Sequence, residues 1–227
     1  MELTEEEVEA FLDELVAQQE PLEQAPPWGA YDYPLACRQL RSSDAKHLYP
    51  VMKRSAKMLN GFIDWAQYAP SWDFKTVQKF VDDHVNSPYP RFHLIFTIGK
   101  QVVGFGSLAP MPNPRHIQVA LWVALGYQRQ GIGHWIIKML EFYAFNVYGY
   151  DKVFYQHDAN NRKSGRLAQS SEYRFSHTFD EEIHAKEESG FWFSWVKDRP
   201  EGLPPGYIDT DDFGSWHKHQ FPWKCLI

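Results

Sequence analysis

The run Gln118-Val119-Ala120-Leu121-Trp122-Val123-Ala124-Leu125-Gly126-Tyr127-Gln128-Arg129-Gln130-Gly131-Ile132-Gly133-His134 decides the fold. From Ile117 to Leu125 it is almost continuously apolar, the pattern of a strand buried on both faces. Gly126–Gly133 then reads as a turn. After it, Ile132, Trp135, Ile136, Met139, Leu140, Tyr143, Ala144 and Val147 recur at helical spacing, and Gly149 ends that helix. Two glycines in such a turn let the backbone approach a ligand closely and aim several N–H groups the same way. The helix behind them adds the positive end of its dipole, and together these make a seat for a pyrophosphate. The spacing is neither G-x-G-x-x-G nor a P-loop, since no Gly-Lys-Ser/Thr follows. The competing reading is a plain glycine turn entering a helix.

A second constellation lies downstream. Lys152–Gln156 reads as a short strand, followed by Asp158-Ala159-Asn160-Asn161-Arg162-Lys163-Ser164 and then Arg166-Leu167-Ala168, with a helix over 162–171.

Taken together, these stretches resemble the GNAT superfamily of N-acetyltransferases. Gln128-x-x-Gly131-x-Gly133 is similar to that family's coenzyme A signature. The wider run looks like the RimJ/RimL-like branch, which acetylates ribosomal-protein N-termini, and Asn161 and Ser164 match the Asn and Ser of the branch's second motif. The correspondence covers roughly residues 117–175, with a weaker one reaching back to Leu35. The resemblance implies an α/β (α+β) fold: a mixed central sheet splayed between two parallel strands, with helices on both faces and pantetheine entering the gap. It implies backbone bonds to the pantetheine from Trp122 and Val123. It further implies a pyrophosphate seat around Gln128, Arg129, Gln130, Gly131, Ile132, Gly133 and His134, and an Asn161 side chain reaching the pantetheine arm.

The activity implied is direct acetyl transfer from acetyl-CoA, as co-substrate, to a primary amine in a ternary complex. The acceptor would be a protein N-terminus or a small amine. Such chemistry needs a deprotonated amine, donors for the tetrahedral oxyanion and a proton for the leaving thiolate. By resemblance the Val123 N–H serves the oxyanion. Ser164 is the candidate partner for the sulfur; the competing reading has its hydroxyl satisfying the local helix backbone. The chain also departs from the branch. Gln118 stands where a Glu is common, and Ala124-Leu125-Gly126 replaces an acidic-Pro segment. The tyrosine acid of other branches falls at Ala168, and Glu172-Tyr173 replaces a Gly-Phe pair. Because Gln cannot act as a base, a second reading keeps the fold and its CoA site but makes the chain an interaction protein.

Upstream, the pattern predicts strands at Leu35–Leu40, Phe92–Ile98 and Val102–Leu108, with helices from Ser43 or Asp44 to about Met58 and over Asp73–His84. Between those helices lies a loop holding Trp65, Tyr68 and Trp72, which either flank the substrate or cover core. Downstream, Tyr173–Phe179 and Phe191–Val196 form a last strand pair. The acidic hairpin between them, with Glu181, Glu182, Glu187 and Glu188, reads as a solvated tip or an attractor of basic partners. Residues 1–30 comprise an acidic helix over 1–20 and a Pro-rich linker, residues 31–197 the catalytic domain, and residues 198–227 a Trp/His/Pro-rich extension. The helix offers a surface for a partner or a homodimer.

Other candidates carry less. The His134 ring contacts phosphate or is simply solvated. His157-Asp158 relays a proton, or is a capping Asp beside a bystander His. His217-x-His219 has metal-compatible spacing but no third ligand, so no metal is expected. The whole chain of 227 residues has a net charge of −6, which excludes the basic footprint of a nucleic-acid binder. No apolar run is long enough to span a bilayer. Two cysteines near opposite ends, Cys37 and Cys225, make no disulfide framework, and a cytoplasmic protein is expected.

Overall fold

The computed structural model describes residues 35–87 and 92–201, together with the backbone of 224–225. The expected N-terminal helix, the Pro-rich linker, His217-x-His219 and most of the C-terminal extension lie outside the described residues.

Strand β1 (Leu35–Gln39) leads through a 3-10 turn, Ser42–Asp44, into helix α1 (Ala45–Leu59). The Asp44 carboxylate sets that junction. It accepts the Arg41 N–H at 2.8 Å and a bidentate pair of bonds from Arg38, which together hold its pKa below the ordinary carboxylate value despite burial. The Trp-bearing loop contains a short helix, α2 (Asp64–Tyr68), before α3 (Phe74–Val85). Asp73 caps α3 by accepting the Thr76 N–H at 2.8 Å.

Next come β2 (Phe92–Ile98), β3 (Gln101–Pro110) and β4 (His116–Val123), an antiparallel run. Helix α4 (Ile132–Phe142) continues into a π turn over Tyr143–Val147. Then follow β5 (Lys152–Asp158), α5 (Arg162–Ser170), β6 (Arg174–Asp180), β7 (Phe191–Asp198) and β8 (Lys224–Cys225).

The strands form one mixed sheet in the order β6-β7-β5-β4-β3-β2-β1-β8, with β4 and β5 parallel at its centre. Strand alternation sends β4 residues to opposite faces. Ile117 and Val119 pack with Ile136 and Leu140 of α4 in one core, whereas Trp122 packs with Leu48, Met52 and Val81 of α1 and α3 in the other. β4 is thus covered on both faces, as its apolar run requires. Among the described residues no helix is long and apolar enough to cross a membrane.

Two local features run against the sequence reading. Cys37 is disulfide-bonded, and the parallel register of β1 with β8 sets Cys225, the other cysteine, opposite it. The expectation that the two cysteines make no disulfide framework is corrected by sheet topology, which makes β1 and β8 neighbours. The Glu172 that replaces a helix-ending Gly takes a left-handed φ of +66°, the conformation for which Gly is the least strained choice. Its carboxylate ion-pairs with Lys138 and Lys197, while Tyr173 behind it is buried.

Candidate active site

The two central strands part. Pairing of β4 with β5 runs from His116↔Lys152 to Val119↔Tyr155 and ends there. Beyond that point β4 keeps only β3, through Gly104↔Val123, and β5 keeps only β7, through Asp158↔Trp192. The Ala124 N–H bonds to the Val103 carbonyl at 2.8 Å. In an extended strand successive residues point their backbone groups to opposite sides, so Trp122 also faces β3, whereas Leu121 and Val123 face the gap. Val123 therefore presents its N–H to the slot. Trp122 contributes its ring to the site, and the backbone role inferred for it from resemblance is corrected by its place in the β3 ladder.

The turn after β4 is built to leave its amides open. Arg129 and Gly131 both adopt positive φ, +60° and +76°, and such turns direct consecutive N–H groups inward. Gln128 donates through Nε2 to the Val123 carbonyl at 3.3 Å, and Gln130 through Nε2 to the Gly126 carbonyl at 2.9 Å, so these side chains brace the turn. Among the described residues none accepts a hydrogen bond from the N–H of Gly131, Ile132, Gly133 or His134, and the first helical bond of α4 is Trp135 N–H to Gly131 O at 3.1 Å. A helix N-terminus with its first donors uncommitted suits an anion. Gly133 is small for a different reason: a Cβ there would sit 3.2 Å from Leu167 Cδ2, so it admits α5 against α4. The His134 ring points away to α5, with Nε2 at 2.7 Å from Ser170 Oγ. Burial, with Lys138 nearby, lowers its pKa, leaving a neutral ring.

Helix α5 starts beside the slot. Asn161 is its N-cap, accepting the Ser164 N–H at 3.2 Å through Oδ1. Tyr155, at the last position where β5 pairs with β4, donates its hydroxyl to Ser164 Oγ at 3.2 Å. Complete burial raises the Tyr155 pKa to about 12, partly offset by that bond to Ser164. The phenol is consequently protonated at every physiological pH and Ser164 keeps a donor behind it. Sequence reading missed Tyr155. Its only signal was a hydroxyl on an otherwise apolar strand, and nothing in the spacing places it beside Ser164.

His157 and Asp158 are both satisfied. Trp195 can only donate through Nε1, so His157 Nε2 accepts it at 2.9 Å and Nδ1–H donates to the Asp158 carbonyl at 2.8 Å. Burial lowers the ring's pKa and keeps it neutral. The Asp158 carboxylate accepts the N–H groups of Asn160, Ser189 and Gly190 and the Ser189 hydroxyl. Asp158 therefore holds a loop and does not cap α5, whose N-cap is Asn161, and His157 is bonded at both ring nitrogens and is no bystander; the His217-x-His219 pair lies outside the described residues.

A cavity of about 380 Å³ joins these parts. Its lining includes Tyr155, Asn161 and Ser164 beside the slot, Gln118 and Gln156 of the sheet, and an aromatic group of Trp65, Phe80, Phe105 and Trp122. The rings there contact one another, with Trp65 and Trp122 centroids 5.6 Å apart and Phe105 and Trp122 stacked at 6.1 Å. Trp65 thus borders the cavity while packing on core. Tyr68 is exposed and is not part of this wall, and Trp72 backs it through its contact with Phe80. The acidic hairpin is no free tip either: Glu187 N–H bonds to Gly61 O at 2.9 Å, and Gln67 Nε2 to His184 O at 2.9 Å, docking it on the α1–α2 loop.

Residues 61–173 match the acetyltransferase (GNAT) family model. No curated protein matches the chain. Among solved structures, the chain superposes on RimL, the ribosomal L7/L12 alpha-N-protein acetyltransferase in complex with coenzyme A, with a TM-score of 0.66 at 15% identity over 73% of this chain and 94% of that one. The microcin C7 self-immunity acetyltransferase MccE, in complex with acetyl-CoA and AMP, gives 0.63 at 13% identity over 73% and 92%. Spermidine N-acetyltransferase from Vibrio cholerae, in complex with CoA and spermine, gives 0.60 at 14% over 73% and 96%.

Proposed function

The chain belongs to the acetyltransferase (GNAT) family, and from that premise we propose that it moves an acetyl group from acetyl-CoA directly to a primary amine within a ternary complex. The observation that carries this reading is the parted pair β4/β5 with uncommitted amides at Gly131–His134 at its mouth. The residues present fit a CoA: the four N–H groups of Gly131–His134, without an acceptor among the described residues, for a diphosphate, and a slot edged by Val123 for the pantetheine. Bound there, acetyl-CoA supplies the activated thioester.

The residues of the chain then divide the work. Gly131, Ile132, Gly133 and His134 donate backbone N–H groups to the diphosphate, with Gln128, Arg129 and Gln130 shaping the turn. Asn161 fixes the start of α5 beside the arm. The amine nitrogen attacks the carbonyl carbon, the C–S bond breaks, and the net reaction releases one proton from the ammonium. The Val123 N–H stabilises the oxyanion as charge develops on it. Ser164 donates its hydroxyl proton toward the departing sulfur and draws on Tyr155 behind it. Gln118 orients and does not take protons.

The resemblance to the RimJ/RimL-like branch favours an amine acceptor of the protein N-terminal or small-molecule kind. Residues 31–197 form the catalytic domain in this reading. Acetyl-CoA as co-substrate supports a cytoplasmic setting; the cysteines no longer do, given the bond on Cys37. Incubating the protein with isotopically labelled acetyl-CoA and a panel of amines and peptides tests the reading. Transfer of label to an amine is expected, and CoA binding with no transfer to any class of amine would overturn it.

A further inference from the structure

The acceptor end of the cavity has a chemistry of its own. Its walls come from five elements: Leu48 and Met52 of α1, Trp65 of α2, Phe80 of α3, Phe105 of β3 and Trp122 of β4. These side chains carry no charge; His84, packed on Phe80 and Phe105, and Ser107 are polar residues in the same lining. Three carboxylates line the cavity, those of Asp64, Asp158 and Glu188; Asp158 already accepts the N–H groups of Asn160, Ser189 and Gly190 and the Ser189 hydroxyl, and no Lys or Arg is among the described residues lining the cavity. Glu188 is held in place through Oε2, which accepts the His184 and Ala185 N–H groups at 2.7 and 2.9 Å. Its Oε1 has no such bond among the described residues. Asp64 accepts Gln67 Nε2 at 2.7 Å, and that same amide nitrogen reaches the hairpin at His184 O.

Resting on the acetyltransferase reading, we propose that the acceptor is a low-molecular-weight primary amine carrying a bulky apolar group. The group fills the aromatic recess while the ammonium sits between the Asp64 and Glu188 carboxylates and the indole faces. A cation is favoured by carboxylates with no Lys or Arg among the described residues lining the cavity, and by the negative faces of Trp rings. A bulky apolar group is favoured because the recess offers it dispersion contacts and removes it from water. A polyamine fits poorly, since beyond Asp64 and Glu188 the third lining carboxylate, Asp158, is already engaged by four donors and is poorly placed to replace the hydration of a second cation. A polypeptide fits poorly as well. The α1–α2 loop and the β6–β7 hairpin are stitched together by Glu187 N–H to Gly61 O, Lys186 N–H to Asn60 O at 3.4 Å and Gln67 to His184 O. The cavity's size is that of a small-molecule site.

The test gives full-length protein acetyl-CoA with phenethylamine, spermidine, a Ser-initiated peptide or a Phe-initiated peptide, and reads products by mass spectrometry. Phenethylamine binding to the CoA complex is read in parallel by calorimetry. The expected result is kcat/KM for phenethylamine at least about tenfold above each of the others, the effect of roughly 1.4 kcal/mol of preferential binding. Preference for spermidine or for either peptide overturns this inference and leaves the acetyltransferase reading standing. Phenethylamine binding without transfer to any amine does the reverse, and absence of both binding and transfer removes both. In an Asp64→Asn/Glu188→Gln double variant, which keeps a carbonyl acceptor for the loop N–H groups, KM for phenethylamine should rise about tenfold while KM for acetyl-CoA holds. An unchanged amine KM overturns the ammonium placement.

Discussion

The two ends of the cavity are made of different materials. At the proposed cofactor end the groups assigned a role are backbone amides and two side chains at the start of one helix, all within residues 123–164. At the acceptor end they are side chains from α1, α2, α3, β3, β4 and the β6–β7 hairpin, between Leu48 and Trp192. Backbone donors are held by local conformation, and any sequence that forms the turn and the helix supplies them. Side-chain walls exist only after the chain has packed. The first end suits a co-substrate common to many relatives; the second is where a particular acceptor is chosen.

That contrast is broken most directly at Gly131. A Gly131→Val variant forces a β-branched residue into φ +76° at a cost of about 1–2 kcal/mol and places methyl groups in the phosphate seat. CoA affinity by calorimetry should fall about 100-fold or more, while far-UV circular dichroism is unchanged. Retained affinity would show that the amides of this turn do not hold the diphosphate.

Ser164 and Tyr155 test the boundary between the two ends. Ser164→Ala should lower kcat about 100-fold with little change in KM for acetyl-CoA, and Tyr155→Phe about tenfold, if a hydroxyl pair protonates the sulfur. Equal rates in all three proteins would leave the pair a structural one.

Tyr155 also gives a pH signature. Its pKa is raised in the fold from the ordinary value near 10 to about 12, so the folded state holds its proton where the unfolded chain loses it. The contribution is complete below pH 10 and is lost as pH climbs through 12, about 2–3 kcal/mol for that shift. Chemical unfolding across pH 9–12 should show a shallower decline in Tyr155→Phe than in the parent. Tyr143, raised in the same sense by burial, adds to the slope in both proteins.

Smaller effects separate capping from chemistry. Asn161→Ala removes the cap of α5 and should cost about 1 kcal/mol, a melting-temperature fall of about 2–4 °C. KM for acetyl-CoA should also rise, which a pure cap loss would not produce. Glu172→Gly, far from the slot, relieves a left-handed φ at the expense of exposed ion pairs to Lys138 and Lys197. A gain of up to about 1 kcal/mol, with unaltered kinetics, is expected.

The sequence by itself determined the parts whose physics is local. The apolar run of β4, the left-handed turn at Gly131, the stripe of α4 and the Asn161/Ser164 opening of α5 each follow from residues a few positions apart, and the structure places all four around one slot. Even there it supplied reasons the sequence lacked, since Gly133 is small to admit Leu167 as well as to start a helix. Tertiary structure alone decided where β4 and β5 part, which hydroxyl stands behind Ser164, and that Cys37 faces Cys225. It also decided that Trp122 offers a ring and no backbone group, and that an acidic hairpin closes on the α1–α2 loop. Register, strand neighbours and the direction of a side chain are set by packing among residues tens of positions apart. No periodicity along the chain encodes which of those residues will meet.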